Sequence, residues 1–352
     1  MNTALVDDIV NAVLYEGYIL YPYRPCIKNQ RRCMFGSLYP RKYCESNAAE
    51  RWKMQTQCLV EGTVGTTVEV EVRFLHLVAR QVAQSAEPSK MQAGDAGLTL
   101  VDTLKIDGEI YESWQEAVER QVRISSHAIG ELLERSVGIP VAFRNLRDKQ
   151  DLRDSQGALA GAIVRERLAI RGLIELSARR IADGLFSISV TISNLSSMEA
   201  LSSIHAVGST AQLQSFVSTH TILACEAGRF VSLIDPPPCY GDVVSQIRNE
   251  SAWPVLVGAE GSRSMMLSSP IILYDYPQIA VESSGDHFDA TEIDEMLALR
   301  VITMTDDEKC RMHNVDDRAR EILRRTEVMP EEQLQKLHGA IRGLRKLQPT
   351  IE

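Results

Sequence analysis

The sequence predicts an α+β protein: an antiparallel sheet, a smaller mixed α/β unit and a C-terminal helical region. Two observations predict the sheet. Residues 68–74 alternate apolar and charged side chains, and residues 168–193 alternate apolar and polar ones on both sides of Asp183-Gly184. A third observation, the capping-box pattern Thr305-Asp-Asp-Glu308, predicts the start of a helix. The sheet must cover its apolar side with helices or a second sheet, so it is either open or folded into a sandwich.

The composition narrows the class of protein. The chain has 352 residues and a net charge of -9, long enough for two or three compact units and too acidic for a general nucleic-acid binder. Its apolar runs are far shorter than the roughly 20 residues of a membrane span. No secretion signal opens the chain, which predicts a cytoplasmic location and reduced thiols at its seven cysteines.

The N-terminal segment combines a helix with an aromatic and basic stretch. Residues 4–14 have apolar side chains close to helical spacing. Six of the ten tyrosines follow between residues 15 and 43, where three prolines predict extended or looped chain. Residues 24–53 hold eight Lys or Arg against two Glu, a local charge of +6. That stretch is either a docking surface for an acidic partner or a solvated loop.

The next elements are strands and a hairpin. The apolar phase of the strand at 68–74 shifts at Leu75, which predicts a bulge or a sheet corner. Residues 84–97 have the composition of a loop. Asp107-Gly108 predicts a type I′ hairpin turn, and residues 113–122 have the apolar spacing of a helix.

The second half of the chain is mixed. We predict a long hairpin that turns at Asp183-Gly184, a turn at Ala227-Gly228 and a final helix after Pro330. The remaining predicted elements are strands at 219–223, 230–234, 253–258 and 270–274, and a short helix at 241–249. The predicted units are 1–60 (aromatic and basic segment), 61–200 (β-rich domain), 201–285 (mixed α/β unit) and 286–352 (helical region).

Candidate metal ligands cluster in one acidic segment. Carboxylates and an imidazole close together can bind a metal, and this group consists of Asp286, His287, Asp289 and Glu292. The alternative is that Thr291 caps a helix whose first turn is acidic. The four N-terminal cysteines lack a Cys-x-x-Cys pair, so we interpret them as scattered thiols.

No catalytic motif is present. Ser218, His220 and Cys225 are residue types of nucleophilic catalysis, but residues next to each other on a strand point to opposite faces. We therefore interpret His220 as a buried histidine. The sequence lacks a Walker pattern, a dinucleotide-binding glycine pattern and a nucleophile elbow. No cofactor is assigned, and we do not assign the chain to an enzyme class.

Five blocks of the sequence, spread over nearly the whole chain, stand out: Leu14-Tyr-Glu-Gly-Tyr-Ile-Leu-Tyr-Pro-Tyr-Arg24, Phe35-Gly36 with Leu38-Tyr-Pro40, Trp253-Pro-Val-Leu-Val-Gly258, Ser268-Ser-Pro-Ile-Ile-Leu-Tyr-Asp-Tyr-Pro-Gln-Ile279 and Thr291-Glu-Ile-Asp-Glu295. In these blocks the sequence resembles a bacterial protein family whose members are encoded beside nickel–iron hydrogenase genes and their maturation factors.

The resemblance implies an accessory protein that supports assembly or maturation of a nickel–iron hydrogenase by protein–protein contacts. Expected partners are hydrogenase subunits or maturation factors. Tyrosine and arginine often dominate such interfaces, so the candidate partner-binding residues are Tyr15, Glu16, Tyr18, Tyr21, Tyr23, Arg24, Tyr274, Asp275 and Tyr276. Two alternatives stay open: a metal-dependent hydrolase or metal carrier using residues 286–295, and a structural subunit of a larger complex.

Overall fold

The computed structural model describes residues 4–15, 35–85, 97–198, 207–278 and 304–314, together with 301, 320, 323, 324 and 326–328. Within them, antiparallel strands dominate and helices are few and short, which confirms the α+β class with an antiparallel sheet.

The strands are β1 (Lys53–Glu61), β2 (Thr67–Ser85), β3 (Leu98–Val101), β4 (Thr103–Ile106), β5 (Glu109–Glu112), β6 (Trp114–Ala128), β7 (Val137–Phe143), β8 (Leu146–Arg153), β9 (Leu159–Arg167), β10 (Ile170–Ala182), β11 (Leu185–Asn194), β12 (Val217–Glu226), β13 (Arg229–Phe230), β14 (Trp253–Leu256) and β15 (Met265–Ser269). The helices are α1 (Ala4–Tyr15), α2 (Arg41–Ser46), α3 (Ile129–Glu134), α4 (Val207–Leu213), α5 (Gly241–Val244) and α6 (Asp306–His313), and Pro238–Tyr240 forms a 3-10 turn.

Two larger sheets organise these strands. One has the order β13-β1-β11-β10-β7, and the other has the order β14-β15-β12-β2-β9-β8. The 19-residue strand β2 is the centre of the second sheet. One of its edges pairs first with β12 and then with β9, and its other edge pairs with β6 and then β3. Since β2 and β12 share this sheet, the predicted units 61–200 and 201–285 contribute strands to one structure.

The two sheets cover each other's apolar faces. One hydrophobic cluster takes buried side chains from both of them. A hydrogen bond of 2.6 Å joins the hydroxyl oxygens of Thr56 on β1 and Ser268 on β15 across the same interior. The predicted apolar cover is thus a second sheet. The side chains of the shared cluster include Met54, Cys58, Ile174 and Ile188 from the five-stranded sheet and Val70, Val72, Phe74, Leu223 and Met266 from the other sheet.

Helix α1 covers part of the outer face of the larger sheet, and its position confirms the helix predicted at 4–14. Val6, Val10 and Val13 share a buried cluster with side chains of β12, β14 and β15. This stripe follows the three- and four-residue spacing of one helix face. The guanidinium of Arg73 on β2 bonds Asp7 of the helix at 2.8 Å, so a charged contact fixes the helix beside its apolar one.

Both predicted hairpin turns are confirmed. Asp107 and Gly108 have φ of 50° and 94°, the left-handed values that a type I′ turn requires. Strands β10 and β11 pair from Gly172↔Asn194 to Ala182↔Leu185 around Gly184. The irregularity predicted near Leu75 also exists, but the extra residue is on the partner strand β12. Ser218 there has a φ of 51°, and the register shifts between Val217 and His220.

Two predicted elements are wrong, and two are shorter than predicted. The helix predicted at 113–122 is strand β6, because pairing with β2 along its length outweighs a helix-like apolar spacing. The strand predicted at 270–274 is irregular, since the chain leaves the sheet after Ser269 at Pro270. The strand predicted at 230–234 ends at Phe230, ahead of Pro236 to Pro238, and the helix predicted at 241–249 is the single turn α5.

The C-terminal capping box is confirmed. The Thr305 backbone amide donates to the Glu308 carboxylate at 2.9 Å, and the Glu308 amide donates to the Thr305 hydroxyl at 3.3 Å. Helix α6 follows and buries Met312. The predicted final helix and most of the predicted loop at 84–97 lie outside the described residues.

Gly172→Ala tests the packing of the shared core. A Cβ at this position on β10 would lie 2.6 Å from the Phe216 ring and 2.6 Å from the Ser193 carbonyl oxygen. Because overpacking a buried site costs about 1–3 kcal/mol, we expect the variant to unfold at lower denaturant concentration with an unchanged slope. Gly241→Ala is the control, since nothing lies within 4 Å of its added methyl and its φ of -53° suits any residue. Equal stability of Gly172→Ala and the native protein would contradict the tight contact.

Candidate functional site

The segment 270–278, which holds three of the predicted partner-binding residues, is fixed to the sheet by its own side chains. The Asp275 carboxylate accepts a hydrogen bond from the Leu256 backbone amide at 2.8 Å and another from the Ser232 hydroxyl at 2.5 Å. The same hydroxyl accepts from the backbone amide of Asp235 at 2.9 Å. Asp275 therefore ties this segment to strand β14 and to the loop after β13.

Tyr276 is a second attachment point. Its backbone amide donates to the Leu256 carbonyl at 2.7 Å, and its hydroxyl donates to the Ser262 carbonyl at 3.0 Å. Its ring packs against the shared core, and burial raises the pKa of its phenol. Tyr276 also has a φ of 56°, an uncommon value for a residue other than glycine. The backbone amide and the phenol hydroxyl of Tyr276 are therefore both hydrogen-bonded within the protein.

Between the end of strand β15 and these two anchors, the side chains alternate between the protein interior and solvent. Ile271 and Leu273 pack against the cluster beneath α1. Ile272 and Tyr274 are 73% and 80% exposed. The segment thus presents an isoleucine and a tyrosine to solvent on a backbone that is held at both ends. Of the predicted residues Tyr274, Asp275 and Tyr276, only Tyr274 has its side chain largely exposed.

Of the other predicted site residues, only Tyr15 lies within the described part of the chain. Tyr15 is the last residue of α1. Outside the described residues lie Glu16, Tyr18, Tyr21, Tyr23, Arg24, Asp286, His287, Asp289 and Glu292. Within the described part of the chain, no group of three His, Cys, Asp or Glu side chains is placed to hold a metal ion.

Ser218 and His220 are close but do not form a nucleophile and base pair. The Ser218 hydroxyl donates to the Val13 carbonyl at 3.1 Å, and the His220 Nδ1 bonds the Ser218 carbonyl oxygen at 2.9 Å. His220 is fully buried, as predicted, and its Nε2 has no hydrogen-bond partner in the described structure. Burial lowers the pKa of this histidine to about 4, so it is neutral at ordinary pH.

A second polar cluster, which we call the arginine cluster, consists of His76, Arg120 and Arg167. The Phe143 ring lies against His76 and Arg120. The arginine cluster forms where β12 and β9, which pair with the same edge of β2, leave a gap. Pairing with β12 begins at Leu75 and pairing with β9 at Ala79, so His76 lies between them. Strand β9 ends beside this gap, and His76 Nε2 bonds the Leu168 carbonyl oxygen at 2.8 Å.

The arginine cluster combines one buried histidine with two half-buried, positively charged arginines. His76 is fully buried, and the Arg120 guanidinium carbon lies 4.4 Å from the centre of the Phe143 ring. Arg120 and Arg167 are half-buried, yet each has a buried Nε without a hydrogen-bond partner in the described structure, as has the His76 Nδ1. Burial, and then the charges of both arginines, lower the pKa of His76 to about 3. Burial and Arg167 also lower the pKa of Arg120.

Sequence reasoning did not find this cluster. Its three residues come from three strands far apart in the chain, and no motif joins them. Because the sequence predicts a helix at 113–122, it does not predict that Arg120 lies in the sheet. The available signal was the alternation on β6, where Val118, Arg120, Val122 and Ile124 share one parity.

Comparison with known proteins assigns no family. No model of a known protein family matches the sequence, and no curated protein matches it either. The resemblance to the hydrogenase-linked family therefore stays a prediction. In the described part of the chain, no helix has the length and apolar character needed to cross a bilayer.

Proposed function

We propose that this protein is a non-catalytic accessory protein that supports assembly or maturation of a nickel–iron hydrogenase by binding a protein partner through Ile272 and Tyr274. The observation that carries the binding role is the exposure of these two side chains on an anchored segment. The hydrogenase assignment rests on the sequence resemblance alone.

Anchoring favours binding because an ordered surface loses less conformational freedom when a partner docks. Asp275 and Tyr276 hold one end of the segment by four hydrogen bonds, two to each residue. Ile271 and Leu273 hold its middle against the α1 cluster. Ile272 and Tyr274 then offer apolar area, and a tyrosine hydroxyl, without any rearrangement of the backbone. Tyrosine is among the residues that contribute most to protein interfaces.

A pull-down from the native cell tests the proposal. The tagged protein is compared with Tyr274→Ala, and captured proteins are quantified by mass spectrometry. We expect hydrogenase subunits or maturation factors in the native eluate, and at least a tenfold loss with Tyr274→Ala, since hot-spot truncations cost about 2 kcal/mol or more. The thermal stability of the variant should be unchanged, because the ring is 80% exposed.

Leu146→Ser is the matched control. Leu146 is also an exposed apolar residue, 52% exposed, but it begins strand β8 in a different part of the sheet. It should capture the same proteins as the native chain. An eluate without hydrogenase proteins would refute the hydrogenase assignment. Equal capture by Tyr274→Ala would refute the segment as the docking element, and Tyr18→Ala and Arg24→Ala would then test the N-terminal block.

The two other predicted functions make different predictions in the same experiment. A permanent structural subunit co-purifies with the mature complex, whereas an assembly factor is captured only with immature forms. A metal-dependent hydrolase or metal carrier using residues 286–295 would purify with bound metal that His287→Ala removes. No described residue bears on that metal site.

A further inference from the structure

We propose that the arginine cluster of His76, Arg120 and Arg167 is a binding site for a phosphate group, either free phosphate or a small phosphate monoester. This site is independent of the protein-docking segment. Its evidence is that each of the three side chains has a buried nitrogen atom without a hydrogen-bond partner in the described structure, and that His76 and Arg120 lie against the same Phe143 ring.

Leaving such atoms unpaired is costly. A buried polar group without a partner costs about 1–3 kcal/mol, and buried polar groups in folded proteins are nearly always paired. Burial, and then the nearby charge of Arg167, lower the pKa of Arg120, so the two arginines also repel each other. An anion between them would pair both guanidinium groups and relieve the repulsion, and guanidinium forks suit phosphate oxygens.

Within the part of the chain that the structure describes, neither Arg120 nor Arg167 forms an ion pair with a carboxylate. The charged groups that act on His76 are Arg120, on β6, and Arg167, at the end of β9. The next charged groups along this face form a separate network, in which Glu116 bonds Arg165 at 2.8 Å and lies 3.5 Å from Arg80. Glu116 is thus engaged by other arginines.

His76 selects for an anion that carries a proton. Its Nε2 faces the Leu168 carbonyl oxygen at 2.8 Å, so the hydrogen is on Nε2 and the neutral Nδ1 is an acceptor. A hydrogen phosphate can donate its O–H to Nδ1, and its proton is lost with a pKa of about 6 in phosphate monoesters. Sulfate has the same shape but no proton. A fully ionised anion can bind Nδ1 only if the ring itself is protonated.

Isothermal titration calorimetry tests the site with inorganic phosphate, phenyl phosphate and sulfate as probes. We expect saturable binding of a phosphate probe, at least tenfold tighter than sulfate. Binding of phenyl phosphate should weaken as pH rises from 6 to 8, because a monoester loses its single O–H with a pKa of about 6. Titrations of phenyl phosphate in two buffers of different ionisation enthalpy should show proton uptake, whereas inorganic phosphate keeps one O–H over this pH range. Tighter binding of phenyl phosphate would identify a monoester ligand, and tighter binding of inorganic phosphate would identify the free ion.

The variants separate binding from folding. Arg120→Gln with Arg167→Gln should abolish binding while the melting temperature of the free protein is kept or raised, because the repulsion is gone. Arg179→Gln removes the same charge from an exposed position on β10 and should bind like the native chain. His76→Gln should remove the proton uptake. Absence of saturable phosphate binding, native affinity in the double variant, or equal affinity for sulfate would each overturn the proposal.

Discussion

Glu71→Gln lowers the free energy of unfolding by about 3 kcal/mol, at the lower end of the range for breaking a buried ion pair. The Glu71 carboxylate on β2 is 1% exposed, and its two oxygens accept from Arg73 at 2.5 Å and from Arg123 at 2.7 Å. Arg73 in turn bonds Asp7 of helix α1. A glutamine keeps the shape but directs an amide N–H group at a guanidinium donor. Chemical denaturation monitored by circular dichroism measures the loss.

The effect of Glu71 depends on pH. Burial alone would raise the pKa of this carboxyl, but hydrogen bonds from Arg73 and Arg123 outweigh burial and hold the pKa below its usual range. The folded chain therefore binds this proton less readily than the unfolded chain. The stability contribution is present above about pH 4.3, the pKa of an unfolded glutamate, and is lost as pH falls through the folded pKa. The difference between native protein and Glu71→Gln should shrink in that window.

Glu175→Gln is the control for Glu71→Gln. Glu175 is an exposed residue on β10, so its replacement removes the same charge at the surface. Surface changes usually stay within about 0.5 kcal/mol. A loss with Glu71→Gln no larger than with Glu175→Gln would show that the buried network does not stabilise the fold. A difference that stays constant down to acid pH would contradict the lowered pKa.

Asn194→Ala lowers the free energy of unfolding by about 3 kcal/mol, because removing one partner leaves buried polar groups unsatisfied at about 1–3 kcal/mol each. Asn194, at the end of β11, is fully buried. Its amide nitrogen donates to the Leu38 carbonyl at 2.7 Å and to the Gln214 carbonyl at 2.9 Å, and its oxygen accepts from the Ser196 amide at 2.9 Å. One side chain thus joins three separate segments. Equilibrium urea unfolding measures the change.

Two further variants sharpen the Asn194 test. Asn194→Asp keeps the acceptor for Ser196 but sets a carboxylate against two carbonyl oxygens, so we expect at least as large a loss. Asn145→Ala removes an exposed asparagine whose oxygen bonds the Ala169 amide, and should cost less than 1 kcal/mol, about the worth of one ordinary hydrogen bond. Near-native stability of Asn194→Ala would contradict the claim that the hydrogen bonds of this side chain stabilise the fold.

Local chemistry explains which predictions from the sequence succeed. The Asp107-Gly108 turn, the capping box at Thr305 and the alternation on β10 and β11 depend on a few neighbouring residues, and each is confirmed. The prediction of a helix at 113–122 failed because apolar spacing alone does not report pairing with a distant strand. Strand β6 is stabilised by β2, about 40 residues earlier in the chain.

The candidate sites divide in the same way. The sequence pointed to Tyr274, Asp275 and Tyr276, and tertiary contacts assigned them different tasks: two are anchors and one is exposed. Whether a polar side chain is hydrogen-bonded within the protein depends on partners that are distant in the sequence, such as Leu256 and Ser262. Residue type and local spacing carry no such information.

The sequence by itself determined the α+β class, the turns, the first helix and the C-terminal cap, because these follow from local conformational preferences and from apolar periodicity. Only the tertiary structure decided that two sheets cover each other, that β2 pairs with two strands along one edge, and that His76 lies in the gap between them. The arginine cluster exists because β6 and β9, which pair with opposite edges of β2, bring Arg120 and Arg167 to one buried histidine on β2. Such a meeting is set by strand register over the whole sheet, which no short stretch of sequence encodes.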